Sequence, residues 1–175
     1  MRHLALFFLL NFIRLNLYGQ GASCELIEIN NLENEIDPIF EKTCIYKNLK
    51  VKSFGKPDNK GRYSWESSLF LVTNSEEKEI ELSDLFGSNS EKVEVYLNEK
   101  LQEEYEGHLG DPDLSECMKT IDFHKFALHE FRLDLQEGET VNFWLEYVTT
   151  SACFNVNLGL ATMSYQEFDR LAVVL

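Results

Sequence analysis

The side chains best suited to chemistry fall into four groups. Asn142, Trp144, Asn155 and Asn157 lie in the last two apolar stretches. An indole offers a flat apolar face to a sugar ring, and side-chain amides donate to and accept from hydroxyls. Gathered on one surface, these four would bind a neutral carbohydrate; the plainer alternative is an indole covered by another segment. Cys24, Cys44, Cys117 and Cys153 form an even set with no Cys-x-x-Cys and no zinc-finger spacing. They read as two structural disulfides, with three connectivities open. The pairing taken is Cys24–Cys44, close in sequence, and Cys117–Cys153, tying the loop after Gly110 to the last hairpin.

The other two groups are weaker. Asp111, Asp113 and Glu116 supply the clustered oxygens that hard cations want. The full EF-hand pattern is missing, and a Pro-Asp turn accounts for the same residues, so no metal is expected. His108, His124 and His129 are scattered, and the last two, five apart, fall on opposite faces of a strand and do not converge. No Gly-x-Ser-x-Gly is present, and carboxylates are too many for any pair to stand out as a glycosidase dyad. The chain is expected to be no enzyme and to carry no cofactor.

The elements that must position these residues are mostly strands. Period-two alternation marks Leu69–Thr73, Ile80–Leu82, Val93–Leu97 and Phe131–Leu135. Turn residues separate them at 56–61, 73–75, 87–90, 110–113 and 136–138. One hairpin can be put in register. Pairing Val148 with Cys153 across a loop at 149–152 sets Tyr147 opposite Phe154, Leu145 opposite Val156, Phe143 opposite Leu158 and Val141 opposite Leu160. Every pair on that face is apolar, and the other face matches Trp144 with Asn157 and Glu146 with Asn155. Ser164-Tyr-Gln-Glu167 is a capping box. Phe168, Leu171, Ala172 and Leu175 follow it at helical spacing, predicting a short terminal helix with a weakly anchored apolar face.

The chain begins Met-Arg-His and runs through an apolar stretch from Leu4 to Ile13. That run is too short to span a bilayer and reads as a signal peptide over residues 1–19, cleaved between 19 and 23. Gly-Ala-Ser-Cys24 also raises lipidation of Cys24, although Gly21 stands where a bacterial lipobox prefers Leu. The 175 residues carry 30 acidic and 16 basic side chains, a net charge of −14. Nucleic acid as a partner is excluded by the lack of a basic footprint, and anionic membrane surfaces are disfavoured. The length fits one domain.

Four stretches carry a family resemblance. Tyr63-Ser-Trp65 through Asn74 resembles an aromatic-Trp strand ending in Asn. Lys92-Val-Glu-Val-Tyr-Leu97, with the later Gly110-Asp111, resembles a Val/Tyr strand and Gly-Asp turn. Phe131 through Thr140 resembles a leucine-rich strand and its turn. Asn155-Val-Asn-Leu-Gly-Leu160, then Ser164 to Phe168, resembles a last strand and short helix. Together, over roughly residues 40–170, they are similar to the second type of extracellular jelly-roll domain of bacterial seven-transmembrane receptors with diverse intracellular signalling modules. The resemblance implies a periplasmic or surface sensor with a carbohydrate-binding-like fold and sugar-type ligands. Members of that family continue into membrane helices, whereas this sequence stops at Leu175.

The expectation is therefore an all-β protein, a jelly-roll β-sandwich with a short C-terminal helix, as one sensor-like domain over 24–175. It would be periplasmic, secreted or at the cell surface, and would bind a glycan or small molecule on a sheet face. The alternative is an interaction module that holds another protein through an edge strand. Membrane contact would come only through a lipid on Cys24 or a C-terminal membrane region outside this sequence.

Overall fold

A computed structural model describes residues 21–29, 39–57, 63–121, 123–145 and 159–175. Strands β1 (Ser23–Ile29), β2 (Ile39–Tyr46), β3 (Leu49–Pro57), β4 (Tyr63–Thr73) and β5 (Glu76–Ile80) form one antiparallel sheet in sequence order. Strands β6 (Arg132–Leu135), β7 (Thr140–Trp144) and β8 (Leu160–Ser164) form a second, also in sequence order. Between the sheets lie helices α1 (Leu82–Phe86), α2 (Ser90–Leu109) and α3 (Ser115–Met118), and α4 (Tyr165–Leu171) closes the chain. The turn expected at 73–75 is a tight hairpin whose central residues, Asn74 and Ser75, both take positive φ, the geometry that matches strand twist.

The chain is thus mostly two antiparallel sheets, as the all-β expectation has it in outline, and helices join its core beside the strands. The largest correction is Lys92–Leu97. Its alternating Val93, Val95 and Leu97 read as a strand, yet it lies inside the 20-residue α2. Val93, Leu97 and Leu101 are buried at helical spacing while Val95 is 52% exposed. A window of six residues cannot separate period two from period 3.6; the longer run of Glu, Lys and Leu can. Leu82, read as continuing a strand, instead opens α1.

One main core joins both sheets and helices α1, α2 and α4, while Met118 of α3 sits in a second, smaller cluster with Tyr105 and Leu114. Leu49, Val51 and Ile80 from the first sheet meet Leu133, Leu135, Val141, Phe143, Ala161 and Met163 from the second. Phe86, Leu97 and Phe168 fill the space between. Phe168 meets Phe86 edge-on at 5.8 Å, a favourable quadrupole arrangement. The packing reaches back to Ala22, which is buried and donates its N–H to Gln136 O (3.0 Å).

The terminal helix forms where its capping box places it, with Ser164 Oγ accepting from Glu167 N at 3.2 Å. Its expected weak anchoring is wrong. Tyr165, Phe168 and Leu171 are all buried, because α4 packs back onto β7 and β8 instead of projecting from them. At its last residue Asn89 Nδ2 donates to Leu171 O, and beyond it Asn48 Nδ2 donates to Val174 O.

The predicted hairpin register is also corrected. Val141 pairs with Met163, Phe143 with Ala161 and Trp144 with Leu160, a shift of three residues from the pairing of Val141 with Leu160. Leu160 through Ser164 carries its own alternation, Ala161 and Met163 in, Thr162 and Ser164 out, and this segment satisfies β7. Gly159, at φ +102° with Leu145 O within 2.8 Å of where a Cβ would stand, allows the close approach that leads into β8. The predicted pairs within 146–158 lie outside the described residues.

Candidate functional site

The position of β6 decides where a surface site can exist. Leu135, at one end of β6, turns its carbonyl toward β1 and β2, where Lys42 Nζ donates to it at 3.3 Å. The same oxygen lies 3.3 Å from Cys44 Sγ and 3.6 Å from Cys24 Sγ. Those sulfurs are joined in a disulfide and carry no proton, so these are sulfur–oxygen packing contacts. At the other end, Arg132 donates from its guanidinium to the carbonyl of Trp65 on β4. Hence β6 runs across β2, β3 and β4 and borders two surfaces: the polar face of the second sheet, and the inner face of the first sheet beyond the core.

On the second sheet, alternation sends Leu133, Leu135, Val141, Phe143 and Leu145 into the core. Arg132, Asp134, Asn142 and Trp144 therefore face the other way, all half-buried. Register places Trp144 between Arg132 and Leu160, and Asn142 between Asp134 and Thr162. Asp134 is fixed by Lys42 at 2.7 Å and by the Gln136 amide. Fixing that carboxylate sets the polar group beside Asn142 in one orientation.

On the first sheet, Trp65 lies over Gly55, its register partner. A Cβ at Gly55 would come within 2.8 Å of the indole, so only glycine permits this seat. Trp65 remains 38% exposed. Beside it, the hydroxyls of buried Ser53 and half-buried Ser67 share a hydrogen bond of 2.8 Å. The arrangement offers two tryptophans, a guanidinium, an ion pair and amide and hydroxyl groups along one border. It is suited to recognition of a polar molecule with apolar ring faces.

Asn142 and Trp144 thus lie on the face expected of them. Asn155 and Asn157 lie outside the described residues. Sequence reading missed Arg132, Asp134, Lys42 and Trp65 as neighbours of this face. The first two were recoverable from their alternation with Leu133 and Leu135; the others come from a different sheet, and no local pattern reports that.

The remaining candidates resolve individually. Cys24 and Cys44 are joined as register partners on β1 and β2. This disulfide marks a chain that matures in an oxidising compartment, and it leaves Cys24 no thiol for a lipid. Cys117 is also disulfide-bonded; Cys153, its expected partner, lies outside the described residues. Asp111 Oδ1 accepts from Asp113 N at 2.9 Å, the side-chain-capped turn typical of Asp. Glu116 pairs instead with Lys119 at 2.7 Å, whose hydrogen bond holds the carboxyl below its usual range. Among the described residues no three metal-ligating side chains converge. His124 and His129 are not on a strand: His124 stacks near Phe126 (4.4 Å) and His129 occupies a 3-10 turn, Leu128–Glu130. Among the described residues no helix is long and apolar enough to cross a membrane. No family model, curated protein or solved structure matches the chain.

Proposed function

We propose that this protein is an exported, non-catalytic binding module that takes a carbohydrate or related polyol on the polar face of its second sheet. The observation that supports this most is the placement of Trp144. It sits one residue from fully buried Phe143 yet on the opposite face, half-buried beside Asn142 and Arg132. An indole there presents a ring face for stacking, and the amide and guanidinium donors suit hydroxyls. Oxidised cysteines and the apolar leader over 1–19 support export to the periplasm or beyond. The finer reading, a jelly-roll sensor of the receptor type, rests on three of the four resembling stretches, since Lys92–Leu97 is helical. A jelly roll also exchanges strands between its sheets, whereas the described strands run as two meanders.

A glycan array followed by calorimetry tests the reading. Trp144→Ala should weaken binding of the retained glycan about tenfold or more, the loss of one stacking contact, while the melting temperature barely moves. Phe143→Ala should instead destabilise the fold by about 3–5 kcal/mol. Equal destabilisation by both substitutions, or an array on which no glycan is retained, would sink the proposal.

A further inference from the structure

The two edges of the five-stranded sheet differ in kind. Edge strand β5 is Glu76-Glu-Lys-Glu-Ile80, four exposed charges in a row, a common defence against unwanted pairing. Edge strand β1 is Ser-Cys-Glu-Leu-Ile-Glu-Ile. Leu26 is 61% exposed and Ile27 48% exposed, one on each face of the sheet. Every second residue of an edge strand turns its N–H and C=O away from its neighbour, and among the described residues no strand pairs with that side of β1. The Cys24–Cys44 disulfide holds β1 extended against β2, so little ordering would be required when a new strand arrives.

We propose that β1 is a docking edge that takes an extended segment of a partner protein as a sixth strand, and that this segment is basic. Glu25 and Glu28 flank the exposed Leu26-Ile27 pair. Neither makes an ion pair among the described residues, and the nearby cation, Lys42, is taken by Asp134. The complement is a basic-apolar-apolar-basic segment. Because Glu-Leu-Ile-Glu has the same charge pattern in both directions, the complement holds for parallel or antiparallel addition. A second copy of this chain fits poorly. A two-fold axis normal to the sheet opposes only side chains of one face, so it can centre on Leu26 or on Ile27. The first sets Ile27 against Glu25 and the second sets Leu26 against Glu28, an apolar chain opposite a carboxylate each time. Two chains of −14 also repel at long range. This edge is separate from the Trp144 face, and the proposal is independent of any glycan.

The test uses the full, disulfide-bonded chain and two acetylated probe peptides, Thr-Lys-Val-Ile-Lys-Val-Thr and its counterpart with Glu for Lys. The basic peptide should bind and slow amide exchange within residues 23–29, and the acidic one should bind about tenfold or more weaker. In the double variant Glu25→Lys/Glu28→Lys, two exposed sites where the fold should be unaffected, the preference should reverse. Equal binding of both peptides, binding of neither, protection elsewhere, or a dimer whose β1 amides are already protected without peptide would each overturn the proposal.

Discussion

Leu49 and Leu26 are the same residue type on the same inner face of the same sheet, and their environments are opposite. Leu49 has no exposed surface, whereas Leu26 is 61% exposed. The difference lies in the second layer. Strand β3 has nine residues and β4 eleven, while β6, which crosses them, has four. A strand that crosses others covers only about 5 Å of each, and β6 is an edge strand of the second sheet, so that layer ends partway along β3 and β4. On one side of β6 Leu49, Val51 and Cys44 form core; on the other lie Trp65, Ser67 and Leu26. Alternation tells which face a side chain takes, and the reach of the opposing layer decides whether that face is worth anything to stability.

The largest test of this contrast is a pair of identical substitutions. Leu49→Ala should cost about 2–5 kcal/mol, transfer and cavity terms together. Leu26→Ala should change stability by about 0.5 kcal/mol or less. Urea unfolding of both variants measures the ratio. Similar costs would show that the open half is covered after all.

The disulfide sits on the border between the halves. Cys24→Ser with Cys44→Ala should lower stability by about 3 kcal/mol, the chain-entropy value for a bridge of this span, across a sequence separation of 20. Native-state hydrogen exchange should show β1 opening before β3 does, since β3 keeps partners on both sides. Uniform opening of the whole sheet would argue that the bridge braces the covered half equally.

How much of this was legible in the sequence follows from the same physics. The Asn74-Ser75 turn, the Ser164 cap and the inward set Val141, Phe143 and Leu145 are local patterns, and each stands where local chemistry puts it. The hairpin register failed because two segments, before and after Gly159, both alternate, and local pattern alone cannot choose between partners. Helix α2 failed because Val93, Val95 and Leu97 satisfy a short strand template while Val93, Leu97 and Leu101 satisfy the helix that tertiary packing rewards. In the candidate site, Asn142 and Trp144 were visible from alternation. Lys42 and Trp65 were not, because they reach the site only where β6 crosses the first sheet.

Alkaline pH should separate the two halves by a smaller amount. Tyr46 is a core residue of the covered half, its ring 4.3 Å from that of Tyr165. Its hydroxyl donates to the Asp169 carboxylate at 3.0 Å, which is also held by Lys47 at 2.7 Å. Burial, and then the hydrogen bond to Asp169, push the Tyr46 phenol up to about 12, against about 10 in an unfolded chain. A folded value above the unfolded one leaves stability undisturbed below pH about 10. Between about 10 and 12 the unfolded state sheds a proton that the folded state retains, so stability falls as pH rises. The full loss, reached above pH about 12, is about 3 kcal/mol for this group. Tyr165, raised mainly by burial, adds loss of the same sign. Urea midpoints at pH 9 and pH 11 should therefore drop steeply for the native chain and less steeply for Tyr46→Phe. Exchange at pH 11 should accelerate in β2 around Tyr46 more than at the Trp65 end of β4, where the exposed aromatic ring has no acidic proton in this range. Parallel slopes for the two proteins would mean that Tyr46 does not couple proton release to the packing of α4 against the first sheet.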